Sequence, residues 1–130
     1  MVEVEKIRAV LFAKNLEKVA RFYSEALELT RVSEDASYVL LKQGGFELII
    51  HQIPKPVADG IEISEPPLRR EVGALRLDYP IRDVKVGRTL AKSLGGAIDE
   101  SPPPWADNGT NFYLGFDPEG NVFGVSQQPA

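Results

Sequence analysis

The sequence predicts an α+β protein assembled from two copies of a β-α-β-β-β unit, and three observations carry that prediction. The first is the turn Asp117-Pro118-Glu119-Gly120-Asn121, set between Asn111-Phe112-Tyr113-Leu114-Gly115-Phe116 and Val122-Phe123-Gly124-Val125. Asp-Pro opens the turn, Gly120-Asn121 closes it with residues that tolerate positive φ, and the flanking runs are aromatic or β-branched. The whole reads as an antiparallel hairpin. The second is a weaker copy upstream, in which Tyr38-Val39-Leu40-Leu41 and Phe46-Glu47-Leu48-Ile49-Ile50 flank Gly44-Gly45. Aligning Gly45 with Gly120 places Leu48 on Phe123 and Ile49 on Gly124. The third is a pair of apolar stripes at helical spacing, each preceded by a strand and a capping residue. Repetition on this scale governs how every motif is read.

Taken in order, 7–13 is a strand whose alternation sets Ile7, Ala9, Leu11 and Ala13 against Arg8, Val10 and Phe12. Asn15 caps the first helix, with Leu16, Val19, Ala20, Tyr23, Ala26 and Leu27 as its apolar stripe; Glu17, Lys18, Arg21 and Glu25 face water. Strands at 30–33, 38–41 and 46–51 complete a first module spanning about 5–53. From 54 to 72, Pro54, Pro56, Pro66, Pro67 and Asp59-Gly60 exclude a long regular element, so this stretch is a linker with room for a short strand at Ile61-Glu62-Ile63. The second module, about 73–128, repeats the order. A strand at 74–79 leads to Asp83 as helix cap and to a stripe of Val86, Leu90, Ala91 and Leu94. Gly95-Gly96 supplies a left-handed stop, 97–99 is a strand, 101–109 a loop, and the Asp117 hairpin ends the unit.

Bulk properties narrow the function. At 130 residues the chain (1–130) is one domain, long enough to bury its own core. Cysteine is absent, which removes disulfides, thiolate chemistry and zinc–cysteine sites. The net charge of -4 and the lack of any lysine or arginine cluster argue against nucleic acid as a partner. No apolar run approaches the roughly 20 residues of a membrane helix. The acidic start Met1-Val2-Glu3-Val4-Glu5-Lys6 has no signal-peptide core, so a cytoplasmic protein is expected.

With these elements in place the chain resembles the vicinal oxygen chelate superfamily, the group that contains glyoxalase I, extradiol dioxygenases and bleomycin- and fosfomycin-resistance proteins. The resemblance rests on Asn15-Leu16-Glu17-Lys18-Val19-Ala20-Arg21-Phe22-Tyr23 after a strand, on Asp117-Pro118-Glu119-Gly120-Asn121 before the last strand, and on the paired modules. It implies two curved sheets forming an incomplete barrel around a cavity, often in a homodimer. It does not imply one activity, because this fold hosts lyases, isomerases, oxygenases and plain binders.

The resemblance also implies where a metal would sit: on the first and last strands of each module. Those positions fall here on Arg8, Ile49, Arg76 and Gly124. None offers a carboxylate or imidazole, and guanidinium has no lone pair to give, so a divalent metal is disfavoured and no cofactor is expected. Glu47 and His51, the only histidine, flank Ile49 and are the remaining candidates for a weak metal site or for a general base. By alternation the face carrying Arg8 also holds Val10, Phe12, Glu47, Ile49, His51, Arg76, Asp78, Gly124 and Ser126. On one reading Arg8 and Arg76 grip an anionic or carbonyl-bearing small molecule enclosed by Phe12, Ile49 and Trp105, with Asp78 beside it. On the other, the arginines pair with Glu47 and Asp78 and close the space with ion pairs. Two further functions stay open: a metal-dependent glyoxalase-like lyase or dioxygenase, and a non-catalytic interaction module with a closed cavity.

Overall fold

The computed structural model describes residues 6–106 and 111–129. Strand β1 (Ile7–Ala13) leads into α1 (Leu16–Glu25), β2 (Thr30–Glu34), β3 (Tyr38–Gln43) and β4 (Phe46–Gln52), followed by the one-turn helix α2 (Lys55–Ala58). The second half runs β5 (Asp78–Ile81), α3 (Val84–Ser93), β6 (Ala97–Ile98), β7 (Phe112–Phe116) and β8 (Val122–Gln127). Two four-stranded sheets result, ordered β1-β4-β3-β2 and β5-β8-β7-β6, and they do not close into a barrel. In each sheet the first strand pairs in parallel with the last strand of its module. Val10 lies opposite Ile49 and Asp78 opposite Gly124, so the two modules share one register under the alignment the sequence suggested.

Both helices start where expected. The Asn15 side chain accepts from the Lys18 N–H at 3.2 Å, and Asp83 accepts from the N–H groups of Lys85 and Val86. Two long-range carboxylates reinforce these starts in a reciprocal way. Glu119, in the second module, accepts from the Lys14 and Asn15 N–H groups at 2.8 and 2.7 Å. Glu28, in the first, accepts from the Arg82 and Asp83 N–H groups at 2.8 and 3.2 Å. Gln52 and Gln127 then serve the N–H groups of Leu16 and Val84 at 3.2 and 3.0 Å. Each module therefore satisfies backbone donors at the other's helix entry, donors that α-helical bonding alone leaves open.

The core lies between the sheets and the two helices, with Phe22, Leu27, Leu48, Ile50 and Phe123 all at most 1% exposed. The helices meet at Gly87, where a Cβ would stand 2.9 Å from the Ala26 carbonyl oxygen. Rings from both modules interlock, Phe22 with Phe123 at 5.7 Å and Tyr23 with Tyr79 at 5.8 Å between centroids.

Several expectations need correction. The linker forms no strand at 61–63; its one regular element is α2, which starts behind Pro54. The strand placed at 74–79 is Asp78–Ile81 instead. Upstream of it, the Arg70 N–H donates to the Gly120 carbonyl and Arg69 forms a two-point ion pair with Asp99 (2.7 and 2.9 Å). These ties fasten Arg70 to the 117–121 turn and Arg69 to the end of β6, so the chain reaches sheet pairing only near Leu77. Ile7 and Leu75, expected against the helices, are 75% and 74% exposed because each lies at the start of, or beyond, its sheet. The strand at 97–99 is confined to Ala97–Ile98. In the hairpin only Gly120 uses positive φ, while Asn121 contributes a side-chain bond to Asp117. The end of the 101–109 loop lies outside the described residues.

Candidate functional site

Register places Arg8, Val10 and Phe12 directly beside Glu47, Ile49 and His51 on one face of the first sheet. The Arg8 guanidinium bonds Glu47 through Nε at 2.9 Å and Nη2 at 2.7 Å, and Lys6 adds a contact at 3.3 Å. Glu47 is 4% exposed, and the hydrogen bond from Arg8 holds its carboxyl below the usual range. His51 turns Nδ1 toward the Gln52 carbonyl at 3.0 Å, with its ring 5.7 Å from that of Phe12. In the second sheet Arg76 forms a two-point pair with Asp78 (2.7 and 3.0 Å), and its guanidinium lies over the rings of Trp105 and Phe112 at 5.3 and 5.5 Å. Both arginines are thus ion-paired, and the face is open: Phe12 is 60% and Trp105 62% exposed.

The Arg8–Glu47 pair has a consequence for stability. A carboxyl depressed on folding stabilises the protein above its unfolded pKa and loses that contribution as pH falls through the folded value. Arg8→Ala should therefore lower stability at neutral pH and move acid unfolding to higher pH. Denaturant titrations across pH, with a carboxyl NMR titration of Glu47, measure both; coincident acid limbs in the two proteins would show the pair to be energetically idle.

The four positions at which the resemblance would put metal ligands do not suit a cation. Arg8 and Arg76 carry positive charge, Ile49 has no donor, and Gly124 has no room for one. A Cβ on Gly124 would lie 2.6 Å from the Phe112 ring and closer still to Asp78 Oδ1. Among the described residues no three His, Cys, Asp or Glu side chains gather as a ligand set. Glu47, the one nearby acid of the first module, is already engaged by two cations.

A partly open pocket lies elsewhere, at the seam between the sheets. A cavity of 570 Å³ is bounded by the inward residues Ala9, Leu11, Leu48 and Phe123, and by Tyr23 and Tyr79. The irregular segment 70–77 runs over it as a strap and brings Arg70 and Arg76 to its edge, with Trp105 alongside. Of the residues singled out from sequence, Arg76 and Trp105 border this cavity. Arg8, Phe12, Glu47, Ile49, His51 and Asp78 do not, although Val10, on the same strand face as Arg8 and Phe12, does. The pocket takes residues from both faces of β1, Val10 as well as Ala9 and Leu11. Tyr79 and the strap were missed: a void between sheets depends on how two modules dock, and nothing local encodes it.

A family model described as a glyoxalase-like domain matches residues 8–126. No curated protein matches the chain. Among solved structures, a genomically encoded fosfomycin resistance protein from Listeria monocytogenes aligns with TM-score 0.65 and 14% identity, over 99% of this chain and 96% of that one. A glyoxalase/bleomycin resistance protein from Albidiferax ferrireducens gives 0.63 and 16%, over 94% and 97%. An integron cassette protein from V. cholerae gives 0.61 and 22%, over 99% and 98%. At these identities the likeness is one of fold.

Proposed function

Because the chain belongs to the glyoxalase-like domain family, we propose that it binds a small organic molecule, without a resident metal, in the seam cavity between its two sheets. One observation carries this reading: a 570 Å³ space in which Ala9, Leu11, Leu48, Leu77 and Phe123 meet Tyr23, Tyr79, Asn121 and the charged residues of the strap, a volume within the range of small-ligand sites. Arg70 at the edge, which has no ion-pair partner among the described residues, favours an anionic or carbonyl-bearing compound even though Glu71 stands beside it and Arg76 is paired with Asp78. The ion pairs on the open face favour a structural role for Arg8, which moves the functional weight to the seam.

Thermal unfolding with 4-phenylbutanoate and 4-phenylbutan-2-one tests this. A ligand at a hundred times its Kd adds about 2.7 kcal/mol to stability, enough to raise Tm on the order of 10 °C. Ala74→Trp, on the exposed strap where it borders the cavity, should abolish the rise by filling the entrance. No rise with either compound, or an equal rise in the variant, sinks the proposal.

A further inference from the structure

Two tyrosines border the seam cavity and both are 3% exposed, yet their hydroxyls are not equivalent. Tyr23 donates to Asp117 Oδ2 at 2.8 Å, so its proton is committed. Tyr79 makes ring contacts to Tyr23, Phe46 and Phe123, at 5.8, 6.0 and 6.5 Å between centroids. Its hydroxyl has no hydrogen-bond partner among the described residues. A buried tyrosine ordinarily finds one, and Tyr79 lies in the wall of the cavity, where a bound molecule could supply it. Burial and the nearby Asp117 charge push the Tyr79 hydroxyl far above its ordinary pKa, so it keeps its proton and remains a donor at every physiological pH.

We propose that the Tyr79 hydroxyl is the polar recognition group of the seam cavity, donating a hydrogen bond to the carbonyl oxygen of an otherwise apolar ligand whose body packs on Leu48, Leu77 and Phe123. The proposal rests on the seam cavity being the binding site and adds the ligand class, apolar carbonyl compounds, and the residue that selects them. A hydrocarbon of the same shape would fill the walls equally well but leave the hydroxyl without a partner. Selectivity is then set at one atom. Arg70, which borders the cavity and has no ion-pair partner among the described residues, would distinguish a carboxylate from a neutral ketone at the mouth.

Three probes of one shape separate these effects: butylbenzene, 4-phenylbutan-2-one and 4-phenylbutanoate, titrated calorimetrically into the full chain. Wild-type protein should bind the ketone about fivefold more tightly than the hydrocarbon, and Tyr79→Phe should erase that difference while leaving butylbenzene affinity unchanged. Arg70→Gln should weaken only the carboxylate, by about threefold and less at high salt. Equal losses for all three probes in Tyr79→Phe would make the residue a packing element and overturn the proposal, as would no loss for any. If wild-type protein binds none of the three, butylbenzene included, the cavity reading itself fails and the Tyr79 proposal with it. Binding of butylbenzene without preference for the ketone removes only the role of Tyr79.

Discussion

Replacing Asp117 with alanine is expected to cost about 3–5 kcal/mol of folding stability, the largest single-residue loss we predict for this chain. Asp117 is completely buried, and four donors converge on it. Oδ1 accepts from the Glu119 and Asn121 backbone N–H groups at 2.9 and 3.1 Å, and Oδ2 from the Tyr23 hydroxyl and the Asn121 side-chain amide at 2.8 and 2.9 Å. Burial pushes this carboxyl upward while those donors pull it back, which is the signature of a charge held only because it is surrounded by partners. Alanine would strand all four donors and cut the tie between the last turn and α1. Asp117→Asn should cost less, since its amide oxygen still serves two of them. Tyr23→Phe, which removes one donor, should cost about 1 kcal/mol. Urea titrations of the three variants give the comparison, and a loss below about 1 kcal/mol in Asp117→Ala would refute the anchoring role.

That anchor shows where sequence reading reached and where it stopped. Asp117 is legible as a turn-maker, because Asp-Pro and Gly120 are local signals whose geometry needs only neighbours. Its second task, accepting from a tyrosine on the first helix, is a long-range contact with no local mark. Glu119 and Glu28 behave likewise. Each lies in one module and satisfies the helix entry of the other, so neither is visible in the period or capping pattern of its own segment. Asn15 and Asp83 could be found because they cap the helix that follows them directly.

Strand pairing divides on the same line. The register of β4 and β8 follows from aligning Gly45 with Gly120, since a period of two fixes which side chains share a face. Ala74-Leu75-Arg76-Leu77 alternates just as convincingly, yet the chain there spans the seam. Alternation states that a segment is suited to a sheet, whereas membership requires a partner within reach. Here the fastening of Arg70 to the 117–121 turn and of Arg69 to the end of β6 determines where pairing begins. Pro80 fits the β5 that results, because an edge strand does not need every N–H. The seam cavity is the cost of that arrangement: two modules tied at their turns and helices, with a strap rather than a strand across the gap.

Gly124→Glu should yield a protein about 1–3 kcal/mol less stable that takes up no divalent metal, although it places a carboxylate at the position where the family resemblance would put a ligand. The space over Gly124 is occupied by the Asp78 carboxylate, held from two sides by Arg76, and by the Phe112 ring. A glutamate there must displace both, and the new carboxylate would compete with Asp78 for a single guanidinium. The guanidinium itself repels a dication. The first module adds nothing to help, because Ile49 has no donor and Glu47 is bound by Arg8 and Lys6. A tetrahedral or octahedral ion needs at least three protein donors in most stable sites, and a single new acid beside an arginine does not provide them. Denaturant unfolding measures the stability loss, and calorimetry with Zn²⁺, Ni²⁺ and Mn²⁺ measures uptake. If the variant bound one of these ions at one per chain while Arg8 and Arg76 remained in place, the face would be a dormant metal centre and the shift of function to the seam would lose its premise. Weak, nonstoichiometric heats together with a lowered unfolding midpoint are the expected outcome, because ion pairs and an aromatic ring already fill the coordination space.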